Sequence, residues 1–257
     1  TVTDNSGNVS TCDATVTIID NIPPTAVTQD INVYLDATGN ASISDTDLDN
    51  GSTDNCGIVS YTASQTTYGI ADIGTNNETL TVADASSNTT TEPAMVTVLD
   101  TIPPNAVCQD VTLSLDGSGN ATLTAAQIDG GSTDAGGIAS LSIDMANENW
   151  DCSQIGPNTV TLTVTDNSGN TATCDAIVTV VDNMAPTAIC QDLTVSLDAN
   201  GEFVLTSDMV DDGSTDNCAI ASLALDADDV NWDCNEIGTH VVTMTVTDGS
   251  GNSSVCT

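Results

Sequence analysis

The phrase TVTDNSGN fills residues 1–8 and returns intact at 163–170. It recurs as TVTDGSGN at 245–252 and, worn, as TVADASSN at 81–88. The starts at 1, 81, 163 and 245 are spaced 80, 82 and 82 residues apart. A fixed period of this size means a series of like modules, each too small to share one core with all the others. Other marks keep the same step. The pair QD falls at 29–30, 109–110 and 191–192, and a linker reads DNIPPTAV at 20–27, DTIPPNAV at 100–107 and DNMAPTAI at 182–189. Residues 1–20 therefore read as the C-terminal part of a preceding copy. Copies follow at 21–100, 101–182 and 183–257, the last with its final strand incomplete, so the chain reads as a window on a longer array.

Within a copy, alternation marks the strands. NTVTLTVTD (158–166) places Thr outward and Val or Leu inward, the period-two signature of a half-buried strand. NSGN turns the chain, and TATCDAIVTVVD (171–182) runs back; two strands about an Asn/Ser/Gly turn make a hairpin. DVTLSLD (110–116) and NATLT (120–124) are expected to pair as a second hairpin around DGSGN. GIASLSID (137–144) is a further strand, and a shorter one includes NWDCSQI (149–155). TAAQI (124–128) is at most one helical turn. Six or seven short strands per copy predict an all-β fold: tandem immunoglobulin-like antiparallel β-sandwich domains of about 82 residues in an extended array.

Charge narrows the function classes. The chain has 257 residues, 37 Asp plus Glu, no Lys and no Arg, giving a net charge of −37. Such a charge repels itself unless something neutralises it, and divalent hard cations bind carboxylate oxygens. A nucleic-acid backbone is normally held by Lys and Arg, and anionic membranes are attracted by the same residues, so both partners are excluded. Hydrophobic residues make up 39% of the chain, too many for a disordered acidic tail. No apolar run approaches the ~18 residues of a membrane span.

The order D-N-x-x-P, C-Q-D, D-N-C-G-I, I-G-x-x-x-V-T, T-V-T-D-x-S-G-N, then Cys and V-x-V-x-D resembles the hyalin repeat, an immunoglobulin-like module found in tandem in extracellular and bacterial cell-surface proteins. The resemblance covers essentially the whole chain. It departs where that family usually has Cys-Pro, since Cys108-Gln109 and Cys190-Gln191 stand there. The tryptophan of the family's second strand is also missing; Trp150 and Trp232 lie elsewhere, with Tyr68 equivalent to them in the first full copy. The resemblance implies adhesion or structural spacing and no enzymatic activity.

The nine Cys suggest an oxidising setting. Each copy has four Cys positions. The first holds Thr28, Cys108 and Cys190; the second Cys56, Gly136 and Cys218; the third Ile70, Cys152 and Cys234; the fourth Cys12, Glu92, Cys174 and Cys256. The first and third positions are lost together in copy one, which favours Cys108–Cys152 and Cys190–Cys234. The fourth of one copy and the second of the next also vary together, suggesting Cys12–Cys56 and Cys174–Cys218. Geometry opposes that second set, because an extended strand carries Cys174 roughly 26 Å from the next copy's start, whereas a disulfide needs Cα atoms within about 7 Å. First-to-fourth pairing, Cys108–Cys174 and Cys190–Cys256, suits neighbouring first and last strands but orphans Cys56 and Cys152. The within-copy first-to-third pair is the favoured one, and the partners of Cys12, Cys56, Cys174, Cys218 and Cys256 stay open.

DNSGN by itself is a tight turn. In an immunoglobulin topology, however, the loop after the second strand, the loop before the last strand and the incoming linker share one end of the domain. That end gathers Asp20, Asn21, Asp54, Asn55, Asp84 and Asn88 in the first copy. It gathers Asp100, Asp134, Asp166 and Asn170 in the second, and Asp182, Asn183, Asp216, Asn217, Asp248 and Asn252 in the third. Clustered carboxylates repel unless they hold a cation, and Ca²⁺ takes six to eight such oxygens. Ca²⁺ at each junction is therefore expected to stiffen it, somewhat as in cadherin arrays.

His240, the only His, reads as a surface or packing residue, and Trp150, Trp232 and Tyr68 as core anchors. Sequons at Asn8, Asn40, Asn50, Asn77, Asn88, Asn120 and Asn252 matter only where the host glycosylates secreted protein. Near-equivalent copies without a singular site favour a structural segment of an extracellular, cell-surface or matrix stalk, fibre or filament, with neighbouring copies as partners. The alternative is an adhesin whose repeats bind a glycan or protein directly, with SQTTYGIAD (64–72) as the one divergent loop.

Overall fold

Val, Ile and Thr dominate the strands because their branched Cβ packs well on a pleated surface and poorly in a helix. The computed structural model describes residues 1–144, 148–226 and 230–257. The chain divides into two units, Thr1–Ile102 and Pro103–Thr257.

The long hairpin at the centre of the second unit shows how the alternation is spent. Gly156–Asp166 runs antiparallel to Thr171–Val181, with Gly156 opposite Val180 and Thr165 opposite Thr171. Val160, Leu162 and Val164 on one strand and Ala176, Val178 and Val180 on the other are all buried. Ile138–Ser142 adds antiparallel to one side. Val111–Ser114 adds to the other side, parallel to Val178–Val181. The opposite layer is short: Asn120–Thr122 pairs with Asn149–Asp151, helped by the bridges Asn105 to Thr133 and Cys108 to Asp129. Leu123, Trp150 and Ile128 of the single turn Ala125–Ile128 join the hairpin residues in one core.

The first unit repeats this plan. Its sheet runs Ile31–Tyr34, Thr89–Leu99, Gly74–Asp84, Ile58–Ala63 in spatial order, with Asn40–Ser42 on Thr67–Gly69 as the second layer. Leu80, Val82, Val96, Val98, Leu48 and Tyr68 fill its core. The third sandwich, within the second unit, has Ile220–Leu225, Met244–Asp248 and Ser253–Cys256 as its sheet and Glu202–Val204 on Asn231–Asp233 opposite. In this sandwich Leu193 and Val195 are 42% and 49% exposed, against 8% for Leu113 in the middle sandwich.

One expected pairing is corrected. DVTLSLD and NATLT do make the turn around DGSGN, where the Asp116 amide donates to the Asn120 carbonyl at 2.8 Å. Beyond the turn they part into different layers. The Leu115 amide donates to the Val181 carbonyl (2.9 Å), so the first strand's ladder is already taken by the last strand. The chain crosses from one layer to the other, and both Leu113 and Leu123 then face the same core.

The disulfides also differ from the favoured pairing. Cys108 bonds Cys174 and Cys190 bonds Cys256, with Cα atoms 5.8 and 5.7 Å apart. Val111–Ser114 runs beside Thr171–Val181, which brings the residue just before the first strand against the middle of the last. First-to-third pairing fails because Cys152 opens the 3₁₀ turn Cys152–Gln154, away from that edge. It bonds Cys218 of the third sandwich instead, Cα to Cα 5.5 Å. Cys174–Cys218 is likewise not formed, since both residues have these other partners. Cys12, Cys56 and Cys234 are free thiols. In the first unit, where Thr28 and Glu92 replace the first and fourth Cys, the Thr28 hydroxyl donates to the Pro93 carbonyl at 2.6 Å.

Leu162→Ala removes a fully buried side chain at the centre of the long hairpin. It is expected to cost about 2–5 kcal/mol in a denaturant unfolding titration. Ile177→Ala, at a 39% exposed position on the paired strand three residues along the register, is expected to cost well under half as much.

Candidate metal centres

The DNSGN phrase is a carboxylate-centred turn built four times. In the third sandwich, Asp248 Oδ1 accepts the amides of Ser250 (2.9 Å) and Asn252 (2.8 Å), and its Oδ2 accepts the Asn252 side-chain amide (2.8 Å). Asp84 does the same with Ser86 and Asn88 (2.9, 2.8 and 2.7 Å). Asp166 repeats it with Ser168 and Asn170 (2.9, 2.8 and 2.9 Å), and Asp4 with Ser6 and Asn8 (2.9, 2.8 and 2.8 Å). Asx turns of this kind hold the chain where Asp and Asn are placed four apart.

The third-sandwich turn is tied to its linker. The Asn252 amide also donates to the Asp182 main-chain carbonyl at 3.0 Å, as Asn88 does to Asp20 at 3.1 Å. Asp182 Oδ1 in turn accepts the Met184 amide (3.1 Å) and the Asn217 side-chain amide (3.2 Å). Asp216 Oδ2 accepts the amides of Cys218 and Ala219 (2.9 and 3.0 Å). In the first unit Asp20 accepts from Ile22 (3.1 Å) and Asn55 (3.3 Å), and Asp54 from Cys56 and Gly57 (2.7 and 2.9 Å).

Each arrangement brings three carboxylates together. Asp20, Asp54 and Asp84 offer oxygens within 4.8 Å of one another, as do Asp182, Asp216 and Asp248. Asp182 and Asp248 are only 4% and 2% exposed. One oxygen of each linker and loop Asp serves a backbone amide, and the other is left over. Asp20 Oδ2, Asp54 Oδ1, Asp182 Oδ2, Asp216 Oδ1 and the Asn217 carbonyl Oδ1 are buried with no hydrogen-bond partner. Two unit charges 4.8 Å apart repel by about 3–4 kcal/mol at an effective dielectric of ~20, and the chain has no Lys or Arg to offset that. Oxygens that are buried, unpartnered and carboxylate in type are a donor set for a hard cation.

The remaining sequence-selected residues fall as follows. In the middle sandwich Asp134 accepts the Gly136 amide at 2.7 Å and Asp166 is buried. Asp100, in the first unit, accepts the Ile102 amide at 3.1 Å. Asn88, Asn170 and Asn252 turn their amide nitrogens to the Asp of their own turn, so they act as donors that position the carboxylate. Asn21 and Asn183 are exposed, and Asn183 points its amide at the Ser114 hydroxyl, 3.5 Å away. Sequence reading passed over the main-chain carbonyls of Asp20 and Asp182, which a composition-based search cannot flag. It also passed over Glu78, a buried carboxylate at an inward strand position that hydrogen-bonds the Ser64 hydroxyl. Tyr68 nearby is pushed up to about 12 by burial and by the charges of Glu78 and Asp72.

Tyr68 and Trp150 are buried core anchors. His240 packs edge-on to Trp232 with ring centres 4.3 Å apart. The divergent stretch 64–72 forms strand Thr67–Gly69 and turn Ile70–Asp72, matching Asn149–Asp151 and Cys152–Gln154 in place.

Burial raises the Asp248 carboxyl, but its hydrogen bonds from Asn252, Ser250 and Gly251 outweigh that and hold it below the usual carboxylate range. Hydrogen bonds from Asn8 do the same for exposed Asp4. A carboxyl depressed in the folded state contributes stability that is full above its unfolded value and is lost as pH falls through the folded one. The metal-free protein is therefore expected to lose melting temperature as pH drops below about 4, and Asp248→Asn to flatten that slope in a series of thermal melts at stepped pH.

Residues 99–180 match the model of the HYR domain, so the hyalin-repeat resemblance read from the sequence is shown over that stretch. No curated protein matches the chain. Among solved structures it is similar to mouse cadherin-23 EC22-24 at 11% identity, covering 91% of this chain and 96% of that one with a TM-score of 0.37. The protocadherin GammaB4 extracellular domain is 15% identical, with 92% of this chain and 48% of that one covered and a TM-score of 0.37. Titin domains I67-I69, in an E-to-A mutated variant, are 10% identical over 91% and 96% of the chains with a TM-score of 0.34. At these values the structural likenesses carry no argument about function. The HYR match and the three disulfides support an extracellular repeat protein of adhesion type.

Proposed function

We propose that this chain is a spacer segment of an extracellular stalk or filament on a cell surface or in a matrix, in which Ca²⁺ at the Asp clusters stiffens the joints between successive sandwiches. The modules are 21–100, 101–182 and 183–257, with 1–20 closing a preceding copy. The observation that carries the reading is the Asp182, Asp216 and Asp248 cluster with its unpartnered buried oxygens. Asp182 directly follows the last strand of one sandwich, whereas Asp216 lies in a loop and Asp248 at the end of a strand of the next, so a cation there would tie two sandwiches through charge. The joint is already prepared, because the Asn217 amide donates to the Asp116 carbonyl of the preceding sandwich at 3.1 Å.

Ca²⁺ suits the set better than Mg²⁺. Ca²⁺ accepts six to eight oxygens in irregular geometry, while Mg²⁺ demands a near-ideal octahedron and keeps its waters. Asp182, Asp216 and Asp248 with the Asn217 carbonyl supply four side chains at irregular positions, leaving room for main-chain oxygens and water. The reading assigns the chain no catalytic role. His240 is held against Trp232, and the copies are equivalent where a catalytic site would be singular.

The test is a thermal melt with small-angle scattering in millimolar Ca²⁺ and in excess chelator. Ca²⁺ at about 100 times its dissociation constant is expected to add roughly 2.7 kcal/mol per site, and the particle is expected to be stiffer with it than without. Asp182→Asn with Asp216→Asn should remove the Ca²⁺ response of that junction while leaving the chelated melt unchanged or raised, because the repulsion is relieved. A Ca²⁺-independent melt and scattering curve would return the Asp phrases to the role of turns.

A further inference from the structure

The bonds Cys108–Cys174 and Cys190–Cys256 each stay inside one sandwich. The third crosses a joint, from Cys152 of the middle sandwich to Cys218 of the next, with Cα atoms 5.5 Å apart. It ends on the loop that carries the cation donors. Cys218 directly follows Asp216 and Asn217, and its amide donates to Asp216 Oδ2 at 2.9 Å. The Cys152 sulfur lies 3.7 Å from the main-chain oxygen of Asn217 and 3.7 Å from that of Gly119. The fit is close: a Cβ on Gly119 would come within 2.5 Å of the Asn217 oxygen and 2.7 Å of the Cys152 sulfur. Cys152 and Cys218 are only half-buried, so a small reductant can reach the bond.

Asn217 is where the bond and the donor set meet. Its side-chain amide donates to the Asp116 carbonyl of the middle sandwich (3.1 Å) and to Asp182 Oδ1 (3.2 Å), while its own Oδ1 is buried with no partner. Asp182, 4% exposed, has its Oδ2 in the same condition, and so has Asp216 its Oδ1. The sequence keeps donor and bond together. In the middle copy Ala135-Gly136 stands in the place of Asn217-Cys218, so the Asn oxygen and the sulfur are lost at once.

Without a cation, the charges of Asp182, Asp216 and Asp248 push the linker and the two ends of the third sandwich apart. Hydrogen bonds oppose that weakly, whereas a covalent bond across the same joint holds the loop in place. A site already held in its binding geometry loses less freedom when its ligand arrives.

We propose that the Cys152–Cys218 disulfide is a redox control on cation binding at Asp182, Asp216 and Asp248. This rests on the reading of that cluster as a Ca²⁺ site. With the bond closed, Asp216 and Asn217 stay against Asp182 and the site binds Ca²⁺ tightly. With the bond reduced, the loop parts from the linker and affinity falls. The coupling is reciprocal, so bound Ca²⁺ protects the bond from reduction by the same factor. The reductant is a small dithiol. One of its thiolates attacks a protein sulfur and expels the other protein sulfur as a thiolate, giving a mixed disulfide. Its second thiolate then attacks its own bonded sulfur and releases the remaining protein thiolate. The dithiol is oxidised to a cyclic disulfide, the protein disulfide is reduced to two thiols, and two protons pass from the one to the other.

The parent protein for the test carries Cys12→Ser, Cys56→Ser and Cys234→Ser, so that no free thiol exchanges with the disulfides. Ca²⁺ titration calorimetry compares it with a variant that adds Cys152→Ser and Cys218→Ser, and with one that adds Cys190→Ser and Cys256→Ser. Each is repeated with Asp182→Asn and Asp216→Asn. Circular dichroism without Ca²⁺ checks folding. Cys152→Ile with Cys218→Gly, the residues that stand at these places as Ile70 and Gly136, removes the bond in a second way if the Ser pair does not fold. Removing the cross-joint bond is expected to weaken Ca²⁺ binding about tenfold. Removing the bond inside the third sandwich should leave it unchanged, and the cross-joint bond should cease to matter once Asp182 and Asp216 are Asn. Equal Ca²⁺ affinity with and without the cross-joint bond, or an equal loss on removing the inner one, would overturn the coupling and leave the Ca²⁺ reading standing. No Ca²⁺ binding by the parent would overturn that reading and the coupling with it.

Discussion

Everything at the domain ends hangs on carboxylates confined without a counter-charge. The chain offers no ammonium or guanidinium, so each Asp must be accommodated by amides. Asp248 takes the amides of Ser250 and Asn252, Asp216 those of Cys218 and Ala219, and Asp182 that of Met184. Those bonds fix a turn, a loop and a linker. Asp182 and Asp216 also each leave an oxygen over, and these carboxylates converge with that of Asp248. The same hydrogen bonds that shape the backbone therefore create the electrostatic problem that a bound cation would relieve.

The core and the disulfides share the remaining stability unevenly. The hairpin Gly156–Asp166 with Thr171–Val181 buries its inward residues whether or not a disulfide closes the sheet edge, since Leu80, Val82, Val96 and Val98 are equally buried in the first unit, where that disulfide is absent. There Thr28 reaches Pro93 by a hydrogen bond. Closing a 66-residue separation constrains the unfolded chain by an entropy of a few kcal/mol, which a single hydrogen bond does not match. The bond from Cys152 to Cys218 has a different role, because it limits how one sandwich turns on the next.

The pairing error is instructive. In the first copy Thr28, Ile70 and Glu92 replace three Cys at once. Loss of the first position with the third was therefore matched by loss of the first with the fourth, and covariation within one chain could not separate them. Distance forbids a bond between copies only for a Cys on the last strand, such as Cys174. The structure uses the 3₁₀ turn after Trp150 instead, at the end of the sandwich that meets its neighbour. The hairpin expected around DGSGN failed for a related reason: a turn between two apolar runs does not say whether they pair or cross between layers.

The sequence by itself determined the repeat, the all-β character, the long hairpin and its inward residues, and the turn at each DNSGN. These follow from period-two alternation and from Asx chemistry, which act over a few residues. It also placed the clustered Asp at one end, because three loops of a sandwich must emerge together. Only the tertiary structure decided which Cys meet, that the first strand lies parallel to the last, and which carboxylate oxygens are left unpartnered. Those depend on contacts between segments 25 to 70 residues apart in sequence, where local propensity is silent and the geometry of the packed layers alone chooses the neighbour.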